Sequence, residues 1–190
     1  MENEDAEAET RWPREDDCLF QHTGLARDTF IAGSPGERSY RLPKGYKRAG
    51  DVLLKQIAAC RADQSNLIYP ALFCYRQALE LFLKTILDRF GQRAKNTHDL
   101  KSLWASFLQL LKEREQEQAD GLAAVQKLMM EMHEADQRSD TFRFSTDSSG
   151  AGFAFGDRRL DLERLADTMQ GLQNFFECCY LVLWEQDERQ

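Results

Sequence analysis

The sequence predicts an all-α protein, an up-and-down bundle of about five helices with a small β-hairpin inserted near residues 140–156. Apolar residues recur every three or four positions from about Gly45 to the C-terminus, and short polar or glycine-containing links separate these stretches. The 190 residues are 42% hydrophobic and 30% charged, which is typical of one globular domain. We expect residues 1–40 to form an acidic, largely disordered or irregular leader and residues 41–190 to form the helical domain.

The helices are predicted in order from their apolar stripes and their ends. The first follows the helix breakers Pro43 and Gly45, and the second runs from about Asn66 to Phe90. Thr97 is a suitable N-cap for the third helix. Stripes at 100–111, 122–132 and 162–183 predict the last three helices.

Charged residues follow one face of the second predicted helix. Arg76, Glu80, Lys84 and Asp88 alternate in sign at steps of four, a spacing that brings successive side chains together on a helix. This pattern predicts a solvated face with weak ion pairs, unless another helix covers it.

The hairpin is predicted from the stretch 139–157. Phe142 and Phe144 alternate with polar residues, a polar turn follows, and a second alternating pair of phenylalanines comes after it. On such a strand Arg143 points to the face opposite the two rings. It then either meets His98 or satisfies a buried carboxylate such as Glu80 or Asp99, and the sequence leaves both interpretations open.

Composition limits the class of protein. Residues 1–17 carry eight acids and two arginines, so this leader is either a docking tail or a solvated terminus. No apolar run approaches the roughly 20 residues of a membrane span and no signal peptide is evident, which predicts a cytoplasmic protein with no membrane partner. The five cysteines form no CxxC pair and are expected to be buried thiols. Because no phosphate-binding glycine loop or metal motif occurs, we expect no cofactor and no metal.

His98 is the histidine with the most suggestive surroundings. It lies at the predicted start of the third helix, and Arg93, Lys95 and Lys101 are close along the chain. Free N–H groups at a helix start and nearby cations favour an anion, which predicts a phosphate site. In the other interpretation, Thr97, His98 and Asp99 only cap the helix.

Three sequence stretches, YRQALELFLKTIL at 75–87, THDLKSL at 97–103 and TFRF at 141–144, occur in an order that resembles the HEPN superfamily (higher eukaryotes and prokaryotes nucleotide-binding domains), in its THDL-containing branch. The resemblance covers residues 46–185. It implies a helical bundle that forms a homodimer. It also implies an RNA or nucleotide ligand, and a place in a bacterial defence or toxin–antitoxin-type system with a cognate partner protein.

Catalytic members of this superfamily are metal-independent endoribonucleases with an arginine and a histidine about four to six residues apart. The resemblance therefore implies that Arg93 and His98 are catalytic. It places the remaining candidate residues in binding roles: Arg143, Lys95, Lys101, Asp99 and Glu80. In such chemistry the histidine moves the proton of a ribose 2′-hydroxyl and the arginine stabilises developing negative charge.

The same arginine–histidine spacing is common by chance. With three histidines and 17 arginines in the chain, about one such pair is expected in a random sequence of this composition. The sequence therefore leaves three functions open: an endoribonuclease, a non-catalytic HEPN-like interaction module, and a nucleotide-binding regulator.

Overall fold

The computed structural model describes Pro13, Leu19 and residues 33–91, 96–116, 121–147, 149–153 and 159–189. The chain divides into two units, Met1–Ala32 and Gly33–Gln190. Five α-helices lie in the described part of the second unit: α1 (Pro35–Ala59), α2 (Gln64–Phe90), α3 (Leu100–Glu113), α4 (Leu122–Ala135) and α5 (Leu162–Glu188). The all-α class and the five helices are confirmed. The predicted disorder of the leader falls almost entirely outside the described residues.

Helix α2 is the centre of the bundle. It packs against α1, α3 and α5, while α3 also packs against α4. Leu79, Leu83 and Ile86 of α2 are almost completely buried. The ring of Phe82 stacks on that of Phe176 from α5, with centroids 5.5 Å apart. Because neighbours surround α2, polar side chains on this helix are also covered.

Helix α1 begins before the predicted breakers, so the prediction that Pro43 and Gly45 precede the first helix is wrong. Ser34 and Glu37 form a reciprocal capping box, and Pro35 occupies the first turn, where its missing N–H costs nothing. Inside the helix, Pro43 leaves the carbonyl of Ser39 without its usual N–H donor. The hydroxyl of Thr85 in α2 donates to that carbonyl at 2.8 Å, so packing against α2 compensates for the proline.

The predicted β-hairpin does not form in the part of residues 139–157 that the structure describes. One isolated antiparallel bridge joins Thr146 to Gly152, and no described residue there belongs to a strand. The amides of Arg143 and Phe144 instead donate to the carbonyl of Asp140, both at 3.0 Å, which closes a turn. The alternation of aromatic and polar residues therefore does not mark a strand with both rings on one face. The turn buries Phe142 and leaves Phe144 exposed.

No helix among the described residues is long and apolar enough to cross a membrane. The four described cysteines are free thiols, and only Cys179 is buried. Cys60 and Cys74 are half-buried and Cys178 is exposed, so the prediction of buried thiols is wrong for these three. Cys18 lies outside the described residues.

Candidate functional site

A buried ion pair lies on the face of α2 that the sequence predicted to be solvated. Arg76 Nη1 donates to Glu80 Oε2 at 2.7 Å, and both side chains are at most 1% exposed. The prediction is wrong for these two residues because the start of α3 and the segment after α4 cover this face. Burying charge is costly unless partners compensate, so the further contacts of this pair are informative.

Arg76 connects α2 to two other segments. Its Nη2 donates to the backbone carbonyl of His98. Its Nε donates to the backbone carbonyl of Asp136 at 3.3 Å and lies 3.3 Å from the Oδ2 of the same residue, whose side chain is fully buried. A single guanidinium therefore fixes both the segment before α3 and the segment after α4 against α2.

Glu80 holds the imidazole of His98. Its Oε1 accepts a hydrogen bond from Lys84 Nζ at 2.8 Å and lies 2.9 Å from His98 Nδ1. Burial by itself raises the pKa of Glu80, but the hydrogen bonds from Lys84, Arg76 and His98 together hold that pKa below its ordinary value. Because an ionised carboxylate only accepts, Nδ1 is the donor in this contact, which leaves Nε2 as the other ring nitrogen. The side chain of His98 is 63% exposed, so the imidazole can be reached by a ligand.

Asp99, rather than the predicted Thr97, is the N-cap of α3. Its carboxylate accepts from the amides of Lys101 at 3.1 Å and Ser102 at 3.3 Å, while Thr97 Oγ1 accepts from the amide of Asp99 at 3.1 Å. Burial alone raises the pKa of Asp99, but hydrogen bonds from the Ser102 hydroxyl and from the amides of Lys101 and Ser102, together with the nearby His133, hold that pKa below its ordinary value. A phosphate at this helix start would have to displace the carboxylate, which weakens the phosphate-site interpretation.

His133 of α4 lies on the other side of Asp99. Its Nδ1 is 3.2 Å from Asp99 Oδ1, an ion-pair distance without hydrogen-bond geometry. The side chain of His133 is 16% exposed, against 63% for His98. The two histidines in the described part of the chain thus both lie beside a carboxylate, and the ring of His98 is the more exposed of the two.

The remaining sequence candidates are placed as follows. Arg143 is exposed, donates through Nε to the carbonyl of Ser139, and packs on the rings of Phe73 and Phe144. It contacts neither His98 nor a buried carboxylate. Lys101 is exposed in the first turn of α3. Arg93 and Lys95 lie outside the described residues, so their separation from His98 stays untested.

Sequence reasoning missed two features that organise this site, the burial of the Arg76–Glu80 pair and the contact of Arg76 with Asp136. The i,i+4 spacing of Arg76 and Glu80 was visible, but nothing local in the sequence signals that other segments cover them. Asp136 comes 60 residues after Arg76 and gives no sequence signal of its own. The arginine that satisfies Glu80 is Arg76, whereas the sequence suggested Arg143.

A family model described as the HEPN domain matches residues 57–177. The chain belongs to the HEPN family. The matched region contains the whole network around Arg76, from Glu80 and His98 to Asp136, and the turn that carries Arg143. No curated protein and no solved structure matches the chain.

Proposed function

We propose that this HEPN protein binds RNA and cleaves it as a metal-independent endoribonuclease, with His98 as the group that moves the proton. The observation that carries the proposal is the 2.9 Å contact between His98 Nδ1 and the buried carboxylate of Glu80, combined with the exposure of the imidazole. The contact fixes the ring and its tautomer, and the exposure leaves Nε2 for a substrate.

The proposed reaction begins when Nε2 of His98 takes the proton of a ribose 2′-hydroxyl. The 2′-oxygen then attacks the adjacent phosphorus and the bond from phosphorus to the 5′-oxygen breaks, which leaves a 2′,3′-cyclic phosphate. The leaving oxygen takes a proton from solvent water, and His98 returns its own proton to solvent. The imidazolium that forms in the first step is stabilised by Glu80, as a carboxylate stabilises the histidine of other acid–base pairs. Arg93, five positions before His98, is assigned the stabilisation of charge on the phosphorane.

His133 shows why a structural role accounts poorly for His98. Both imidazoles lie beside a carboxylate, but the side chain of His133 on α4 is 16% exposed, whereas that of His98 is 63% exposed. An imidazole that serves only to pair with a carboxylate gains from burial, because an electrostatic contact is stronger in a less polar environment. The exposed ring of His98 forgoes that gain and stays within reach of a ligand.

The test is cleavage of labelled single-stranded RNA in EDTA by the wild type and by His98→Asn. The asparagine amide can still donate to Glu80 but cannot transfer the proton, so the fold is kept while the rate falls about 10²- to 10⁴-fold. His133→Asn is the matched control, because it removes the other carboxylate-facing imidazole. It is expected to cleave at close to the wild-type rate.

Two outcomes would reject the endoribonuclease. The first is wild-type protein that leaves RNA intact, which favours a non-catalytic interaction module or a nucleotide-binding regulator. The second is cleavage that survives in His98→Asn, which indicates a contaminating nuclease. A thermal-shift screen with nucleotides separates the regulator from the interaction module, since a ligand at 100 times its Kd stabilises by about 2.7 kcal/mol.

The wider biological assignment is part of the same proposal. We place the protein in the THDL-containing branch, in the cytoplasm, as a homodimer of a bacterial defence or toxin–antitoxin-type system with a cognate partner. The exposed Leu181 on α5 supports a protein contact. Light scattering of the wild type and Leu181→Glu tests the dimer.

A further inference from the structure

An exposed arginine–aromatic pair lies on the turn that follows α4. The ring of Phe144 is 57% exposed, and the guanidinium carbon of Arg143 lies 5.1 Å from its centroid. The same guanidinium carbon lies 5.7 Å from the centroid of Phe73 in α2. Arg143 Nε donates to the carbonyl of Ser139, which holds the guanidinium close to both rings. The turn therefore carries one cation and one exposed ring in contact with each other.

The turn that carries this pair is firmly anchored. Asp136 Oδ1 accepts from the amides of Asp140 at 2.8 Å and Thr141 at 3.2 Å. The carbonyl of Asp140 in turn accepts from the amides of the arginine and phenylalanine of the pair. Phe142, between those two residues, is buried. An exposed ring on an ordered turn is preorganised for contact with a ligand, because binding costs little further conformational entropy.

The pair and His98 are both connected to α2. Asp136, which holds the turn, pairs with Arg76, and Arg76 also holds the carbonyl of His98. Along α2, Phe73 precedes Glu80 by seven residues, which corresponds to about 10.5 Å of helix. That length is about three stacked nucleotides at roughly 3.4 Å each. The two points of α2 that the pair and His98 contact are therefore about three nucleotides apart.

We propose that Arg143 and Phe144 form a base-stacking subsite that selects single-stranded RNA, with an unpaired base stacked on the exposed ring within about three nucleotides of His98. This inference rests on the proposed function and names its substrate class. Bases of single strands stack on aromatic side chains and on guanidinium planes, whereas the bases of a duplex are not available. One ring and one guanidinium suit a base, and they are small beside the roughly 800 Å² per partner of a stable protein interface.

Binding is measured with a fluorescent 2′-O-methyl RNA oligonucleotide, which lacks the attacking hydroxyl and cannot be cleaved at His98. We expect Phe144→Ala to weaken binding of the single strand about 5- to 100-fold, and Phe144→Trp to bind at least as tightly as the wild type. Arg143→Lys, which keeps the charge and removes the planar group, is expected to weaken it by a smaller factor. The fully paired duplex should bind with the same affinity to all four proteins.

Trp184 provides a matched control. It is 39% exposed, and the guanidinium carbon of Arg89 lies 4.7 Å from its ring, so it forms a similar arginine–aromatic pair at another place on the bundle. Trp184→Ala is expected to bind the single strand as the wild type does. Equal melting temperatures for Phe144→Ala and the wild type would show that a loss of binding is not a loss of folding.

The outcomes separate the subsite from the catalytic proposal. The subsite is wrong if Phe144→Ala binds the single strand as tightly as the wild type, if Trp184→Ala weakens binding equally, or if the wild type binds no single strand. The subsite proposal is supported if binding depends on Phe144, even when the wild type fails to cleave ordinary RNA. In that case only the catalytic assignment of His98 is wrong. Co-purification of a protein that is lost in Phe144→Ala, without RNA binding, would assign the pair to a protein partner and overturn the inference.

Discussion

Replacing Arg76 with methionine leaves two buried carboxylates without the guanidinium that they share. Removing one partner of a buried ion pair costs about 3–5 kcal/mol. Glu80 keeps its hydrogen bond from Lys84 and Asp136 keeps two amide donors, so the lower end applies. We expect a loss of about 3 kcal/mol, which for a domain of this size lowers Tm by about 6–12 °C.

The loss of unfolding free energy in Arg76→Met should increase from pH 5 to pH 8. In the wild type the pKa of Glu80 is lowered, so its contribution is present above the ordinary value of 4.5 and is lost as the pH falls through the folded value. In Arg76→Met the guanidinium no longer offsets the burial of Glu80, so this carboxylate gains a proton more readily than in the wild type and acid favours the folded variant. The difference in unfolding free energy should therefore be largest at pH 7–8 and smaller near pH 5.

The assay is urea denaturation followed by circular dichroism between pH 5 and 8. Arg89→Met is the matched control, because Arg89 is largely exposed and its contact with Asp187 is long, at 3.4 Å. Its loss should stay below about 1 kcal/mol. The reasoning is refuted if Arg76→Met costs no more than this control, or if its cost is the same at both ends of the pH range.

Three further predictions concern packing, capping and thiol reactivity. Gly50→Ala places a methyl 2.6 Å from Cε1 of Tyr75, so we expect thermal denaturation to show a loss of about 1–3 kcal/mol in the free energy of unfolding. An unchanged Tm would contradict this close packing of α1 on α2. Asp99→Ala removes the cap of α3 and should cost about 0.5–2 kcal/mol, whereas Asp99→Asn should cost little; equal losses would contradict the cap. Burial raises the pKa of Cys179 to about 12, so at pH 8 a maleimide should label exposed Cys178 first, and mass spectrometry showing the reverse order would contradict this burial.

The helices were predictable because their signals are local. Apolar spacing marked all five, and the predicted end of the second helix at Phe90 agrees with the observed end of α2. The start of α1 was also encoded in the sequence, as the capping box of Ser34 and Glu37, but the proline and glycine farther along drew the prediction away from it. The rescue of Pro43 by Thr85 depends on a contact between residues far apart in the chain, which periodicity does not contain.

The candidate site was predictable in its residues but not in its connections. Glu80, His98 and Asp99 were identified from the sequence, and the structure brings the first two into direct contact. The burial of Arg76 follows from its pairing with Asp136, and that pairing spans 60 positions of the chain. A charge pattern on one helix does not specify what covers it, so an exposed and a buried ion pair have the same sequence signature.

The geometry adds evidence for a role of His98 that is independent of its spacing from Arg93. About one such pair is expected by chance, so the spacing alone is weak evidence. A buried carboxylate on the neighbouring helix, aligned with the Nδ1 of an exposed imidazole, does not follow from that spacing. Because Arg76 and Glu80 support both the fold and the imidazole, changing them alters stability and activity together. His98→Asn and Phe144→Ala change exposed groups, so they separate the chemistry of the site from the stability of the bundle.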